Sequence, residues 1–203
     1  MRSKFLASTL AIGLGLATPM VSAIVFPNIV MAQTVEEKKK EADRLLKQGN
    51  IQLETNKHKE ALSLLEQSLR LYQELRDQLG EGQVLKSLGN VARDLKQYEK
   101  ALGLFQQSLS IAQEINNRDL EARSLNNVGN SYENLNKFEK AVEYYKQSLS
   151  IIRELKNRFL EGISLNNLGN AYYSLGNYAK AIDYHEQRLA IAREIKDRLG
   201  EGT

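Results

Sequence analysis

Asparagine recurs in this chain at a fixed step. Asn50, Asn90, Asn130 and Asn170 each follow a glycine and lie 40 residues apart. Asn126 and Asn166 stand four residues ahead of the last two, with Lys86 at the same place before Asn90. A carboxamide has one acceptor oxygen and two donor hydrogens. It can therefore pair with both the C=O and the N–H of one peptide unit. A row of them could hold an extended chain by its backbone, each bond contributing a net ~0.5–1.5 kcal/mol. The same side chains could instead cap helices or bridge neighbouring ones, since Asn bonds backbone groups readily. Both uses are compatible with the sequence.

Other residue types offer little chemistry. The chain has no Cys, so there is no disulfide framework, thiolate metal site or cysteine nucleophile. Its two histidines fall on repeat columns: His185 with Leu65, Phe105 and Tyr145, and His58 with Tyr98, Phe138 and Tyr178. Both are expected to pack between repeats, and no Ser–His–acid set can be built from them. Gly80-Glu81-Gly82 and Gly200-Glu201-Gly202 are expected to be turns between repeats. They lack the strand and the lysine that a phosphate loop requires. No catalytic residue, metal or cofactor is expected.

The positioning elements follow from the period. Leu45, Leu85, Leu125 and Leu165 keep the 40-residue step, as do Ala61, Ala101, Ala141 and Ala181, and Gln67, Gln107, Gln147 and Gln187. Four units result, 41–80, 81–120, 121–160 and 161–200. Within the last, Leu165, Leu168, Tyr172 and Leu175 form one apolar stripe at helical spacing. Gly176-Asn177 supplies a turn, and Tyr178, Ile182, His185, Leu189, Ile191 and Ile195 form a second stripe. Each unit thus predicts two helices. A helix pair cannot bury its apolar face alone, and stacking neighbours does so. The glycine before each Asn is expected where two helices cross, letting their backbones approach.

These residues resemble the tetratricopeptide repeat. Its pattern of Leu-Gly, Tyr, Ala and a bulky residue is matched by Leu168-Gly169, Tyr172, Ala181 and His185. Val128-Gly129, Tyr132, Ala141 and Tyr145 match it again. In the second unit, Ala92 stands where Tyr is usual, and Ser108, Ser148 and Arg188 replace the family's second Ala. The usual period is about 34; the six extra residues are expected to lengthen the second helix. The 40-residue form is similar to the repeats of Pins-type adaptors, kinesin light chain and bacterial arrays that end in a CHAT domain. The resemblance implies an all-α fold, a right-handed superhelical solenoid of antiparallel helix pairs. It also implies a concave groove lined by Asn50, Lys86, Asn90, Arg93, Arg123, Asn126, Asn130, Asn134, Asn166, Asn170 and Tyr173. The function expected is a non-enzymatic interaction module that holds a protein segment or peptide there. The alternative is a sensor or scaffold segment of a larger CHAT-type signalling protein.

The ends differ from the repeats. Met1-Arg2-Ser3-Lys4 is a basic head, an apolar run follows, and Val21-Ser22-Ala23 and Val30-Met31-Ala32 offer small-residue cleavage points. Residues 1–32 therefore read as a signal peptide, or as a membrane anchor if left uncleaved, and residues 33–203 as an exported solenoid. Lys and Arg total 28 against 25 acidic residues; Arg2 and Lys4 are two of the 28, leaving a net +1 beyond the signal. That balance gives no electrostatic reason to expect nucleic acid. At the other end, Ile191, Ile195 and Leu199 form an apolar stripe with no following repeat, so the chain is expected either to self-associate there or to be a truncated piece.

Overall fold

Seven turns at a 20-residue step organise the structure. Asn56, Arg76, Lys96, Asn116, Asn136, Lys156 and Gly176 all have φ between 55° and 71°. At each, the left-handed residue donates its N–H to the carbonyl three residues back, and the next residue donates to the one five back. Lys96 N–Arg93 O and Gln97 N–Ala92 O, both 2.8 Å, are typical. This is the Schellman arrangement, which satisfies the orphan carbonyls at a helix end. The residue completing it also begins the next helix. Asp77, Asn117, Asn157 and Asn177 accept from the amides of Gly80, Leu120, Leu160 and Lys180 at 2.9–3.2 Å. These are N-caps, the positions where Asp and Asn are favoured.

The computed structural model describes residues 25–195, with side chains from Thr34 onward. The expected signal falls mostly on residues 1–24, outside the described residues, as does the cleavage point after Ala23. Leu199 and Gly200-Glu201-Gly202 also lie outside them. The chain divides into a short N-terminal unit, 1–36, and a repeat body, 37–203. The described part of the first is helical. Among the described residues there are eight helices and no strand: α1 (Val25–Glu54), α2 (His58–Leu75), α3 (Gln78–Asp94), α4 (Tyr98–Glu114), α5 (Arg118–Asn134), α6 (Phe138–Glu154), α7 (Arg158–Ser174) and α8 (Tyr178–Glu194). None is long and apolar enough to cross a membrane.

The fold is an all-α repeat solenoid, and three local expectations are corrected. Helices α3 to α8 each span 17 residues, so the longer period is shared between both helices and not added to the second. The reason is the stop every 20 residues. Gly80 and Gly82 lie inside α3 and are buried; the turn sits earlier, at Arg76-Asp77. Asp77 capping the Gly80 amide starts the helix ahead of the glycines. The third correction concerns Gly49, Gly89, Gly129 and Gly169. What lies nearest beside each is a side chain of the second helix; second-helix backbone is among the nearest atoms only at Gly49, where the Ala61 carbonyl would be 3.5 Å away. A Cβ placed there would lie 2.5–2.8 Å from Leu65, Phe105, Tyr145 and His185 respectively. His185 is thus a packing residue facing Gly169.

Packing closes around these contacts. Ala61, Ala101, Ala141 and Ala181 are 0–3% exposed on the second helices. Buried serines tie three of the second helices to their own first helix: Ser68 Oγ donates to the Ala42 carbonyl, Ser108 to Gly82 and Ser148 to Ala122, at 2.7–2.8 Å. Between units, buried Glu161 is held by Arg153 from α6 and Arg158 from its own helix.

Candidate functional site

The helices that carry the asparagines lie side by side. Among the described helices α3 touches α5 and α5 touches α7, while α4 does not reach α6, nor α6 α8. The first helices are crowded and the second ones splayed. The stack therefore curves with α3, α5 and α7 on its inner side. Periodicity then aligns equivalent residues of these helices in rows across that face.

The rows are not uniform. Asn167 Nδ2 donates to Asn126 Oδ1 at 2.8 Å, with a longer 3.4 Å contact to Asn130 Oδ1, joining α7 to α5. The Tyr145 hydroxyl lies 2.6 Å from both Asn130 Oδ1 and Glu133 Oε2 and has one proton to give. Burial, then the Glu133 charge and its hydrogen bond, push this phenol far above its ordinary pKa. Asn134 Nδ2 donates to the Asn130 carbonyl at 2.9 Å. Asn126, Asn130 and Asn134 are therefore engaged within the chain. Asn50, Asn90, Asn166 and Asn170 carry no side-chain hydrogen bond among the described residues, and Asn170 is exposed while the other three are half-buried.

The charged residues on this face are also sorted by their surroundings. Lys86 is half-buried in α3; desolvation and then repulsion from Arg123 lower its pKa, with Asp119 opposing. Arg123 Nε donates to Asp119 Oδ2 at 2.8 Å, and Arg93 donates to Asp94 Oδ1 at 3.1–3.2 Å. Tyr173 is 64% exposed at the end of α7 and meets Tyr178 edge-on at 5.4 Å. Among the described residues no group of three or more His, Asp or Glu is placed to hold a metal ion. Two features escaped the sequence reading. The asparagine N-caps were signalled by Asn117, Asn157 and Asn177 standing immediately before helical stripes. The Asn167–Asn126 link had no signal, because adjacent columns join across helices only when the helix rotation is known.

A curved stack of helix pairs defines a repeat solenoid of the interaction-module class. The chain belongs to the tetratricopeptide repeat family, whose model matches residues 41–114, 80–154 and 120–194. No curated protein sequence matches it significantly. Among solved structures it is similar to aspartyl phosphate phosphatase F from Bacillus subtilis, with 22% identity, a TM-score of 0.76, and coverage of 80% of this chain and 43% of that one. A Rap protein complexed with competence and sporulation factor gives 20% identity, a TM-score of 0.76 and coverage of 80% and 45%. The TPR-like repeats of a putative kinesin light chain from Podosopora anserina give 19%, 0.66, and 77% of both chains. The chain thus spans less than half the length of the first two. At these identities the likeness shows the fold.

Proposed function

We propose that this protein is a non-enzymatic, exported module that holds an extended peptide against the inner face of α3, α5 and α7. The observation that carries the reading is the split among the asparagines. Asn90, Asn166 and Asn170 present unpaired carboxamides, and Asn126, Asn130 and Asn167 are locked to one another and to Tyr145 between them. Locked residues stiffen the surface, and a surface fixed beforehand loses less entropy on binding. Unpaired carboxamides offer donor and acceptor to a peptide backbone. The half-buried Lys86 and exposed Tyr173 add a cation and a ring at the margins. The Rap protein solved with competence and sporulation factor supports the class of use, a factor bound to the same fold. Export rests on the basic head, apolar run and small-residue sites of residues 1–32.

The test is to pan the immobilised full chain against a random peptide library and measure the recovered peptides on variants. Asn90→Ala, Asn166→Ala and Asn170→Ala together remove about three bonds of ~0.5–1.5 kcal/mol, so affinity should fall at least tenfold with the melting temperature unchanged. A folded triple variant that binds as well as the original chain rules out the carboxamide row.

A further inference from the structure

The repeat shows what belongs in one of its own cavities. On α5 and α6 the Tyr132 ring stacks on Tyr144, centroids 5.3 Å apart and planes 23° apart. The Lys140 ammonium lies 5.4 Å from the Tyr132 ring. One period later Tyr172 stacks on Tyr184 at 5.5 Å and 7°, with Lys180 at 5.1 Å. There Lys146, from the preceding unit, also stands over the Tyr172 ring, 5.6 Å from its centroid. Tyr132 and Tyr172 are 9% and 7% exposed, so each ring is a packed part of its interface.

One period earlier the rings are missing. Ala92 occupies the column of Tyr132 and Tyr172, and Leu104 that of Tyr144 and Tyr184. Lys100 keeps the lysine column, and Glu66 stands where Lys146 stands later. A cavity of about 260 Å³ remains between α2, α3 and α4. Leu88, Val91 and Ala92 form its buried floor, and Leu62, Leu69 and Leu104 its walls. Glu66 and Lys100 stand at its mouth. An apolar cavity of about 150 Å³ is enough to take up benzene.

We propose that this cavity is a binding site for a phenol ring, the group the fold itself seats at the same place one and two periods later. Lys100 is positioned for the ring face as Lys140 and Lys180 are, an attraction of ammonium to the ring quadrupole. Glu66 sets the polar end. Where Tyr172 meets an ammonium, a ligand here meets a carboxylate, which only accepts hydrogen bonds. The occupant must therefore present a donor, as a neutral phenol hydroxyl does, and a bond to a carboxylate is among the strong ones. No asparagine lines the cavity, and the proposal does not depend on the peptide reading.

The probe is 4-methylphenol, titrated into the methyl-labelled full chain and followed by NMR. Saturable binding is expected, with ring-to-methyl contacts at Leu62, Leu69 and Leu104. Toluene should bind several-fold more weakly, and Glu66→Gln should narrow that difference. Ala92→Tyr supplies the ring from within and should weaken binding at least tenfold while the chain stays folded, as the two later units do with Tyr at this column. If that variant does not fold, the contact map on the unmutated chain decides. N-acetyltyrosinamide, tested alongside, binds if the natural phenol is a tyrosine carried on a chain, and fails if it is a free small phenol. Absence of saturable 4-methylphenol binding, contacts confined to other residues, equal binding of toluene, or undiminished binding to folded Ala92→Tyr each overturns the proposal.

Discussion

Replacing Gly129 by Ala sets two effects against each other, and the structure says which wins. Helix propensity favours the change by about 1 kcal/mol, since Gly129 is interior to α5. Against it, a Cβ at this position would lie 2.6 Å from Tyr145 Cε1 and 2.7 Å from Cδ1, well inside van der Waals contact. The ring is fully buried, and its hydroxyl is held at 2.6 Å by Asn130 and Glu133. It cannot move aside without disturbing that bond. Overpacking costs about 1–3 kcal/mol, and losing a hydrogen bond to a charged group about 1.5–3 kcal/mol. The net is a destabilisation of about 1.5–5 kcal/mol. At about 2–4 °C per kcal/mol for a chain of this size, the melting midpoint should fall by roughly 3–20 °C. Gly103 is the control, because a Cβ there meets nothing within 4 Å in α4. Gly103→Ala should raise the midpoint by about 2–4 °C through propensity alone. Circular-dichroism melts of both variants decide the matter. A Gly129→Ala protein that melts at or above the original temperature refutes the account of the ring seated on the glycine.

Three further outcomes are expected. Asn130→Ala should lower the melting temperature, at up to about 1 kcal/mol of stability, because it removes the carboxamide that meets both the Tyr145 hydroxyl and the Asn167 amide and leaves Glu133 as the hydroxyl's one acceptor; Asn90→Ala, which loses no partner, should leave it unchanged, and equal shifts in the two melts would contradict this. Asp77 is an N-cap whose pKa burial would raise, but the Gly80 amide and Lys39 outweigh burial and hold it below its ordinary value near 3.8. Its stabilising contribution is therefore complete above that value and is lost as pH falls through the lower, folded one; acid titration of Asp77→Asn, followed by circular dichroism, should lack that part of the transition while the cap persists, as it does at Asn117 and Asn157. At the end of the repeat body Phe159 is 59% exposed, and Ile163 and Ile195 are each 38% exposed, around a cleft of about 140 Å³ floored by Ile191; light scattering should show mass rising with concentration, and Phe159→Lys should abolish the rise, whereas a constant monomer mass in the original chain contradicts it.

The fold was legible because the same packing problem is solved once per period. Leu125, Gly129, Ala141 and Tyr145 must recur at fixed offsets for each helix pair to nest on the next, so the columns mark the pairs and the buried faces. What the columns do not encode is rotation and the point where each helix ends. The helix ends depend on left-handed residues as varied as Arg76, Lys96 and Asn116, and these carry no shared side-chain signature beyond their 20-residue step. Composition pointed to glycine as the turn former, and that misplaced Gly80 and Gly82, which lie inside α3. The candidate site was legible only as a set of helix faces. Which carboxamides are free depends on neighbours from other helices.

That dependence is itself regular. The residue seated on the recurring glycine is Leu65, Phe105, Tyr145 and His185 in successive units, and an asparagine follows each of those glycines. Only Tyr145 brings a hydroxyl to its asparagine, so Asn130 is the one of that column fixed from beneath. Phe105 has no polar atom to offer Asn90, and the His185 ring makes no hydrogen bond to Asn170 among the described residues. A packing column on the second helices thus decides how the polar column on the first helices is spent. The strict repeat positions build the stack, and at Asn130 a residue that varies from unit to unit beneath it is what pairs the carboxamide. The same separation holds on the other side, where Ala92 and Leu104 keep the helix but vacate the ring. In both places it is a departure from the period, within an intact scaffold, that leaves room or hydrogen-bonding capacity for something other than the chain itself.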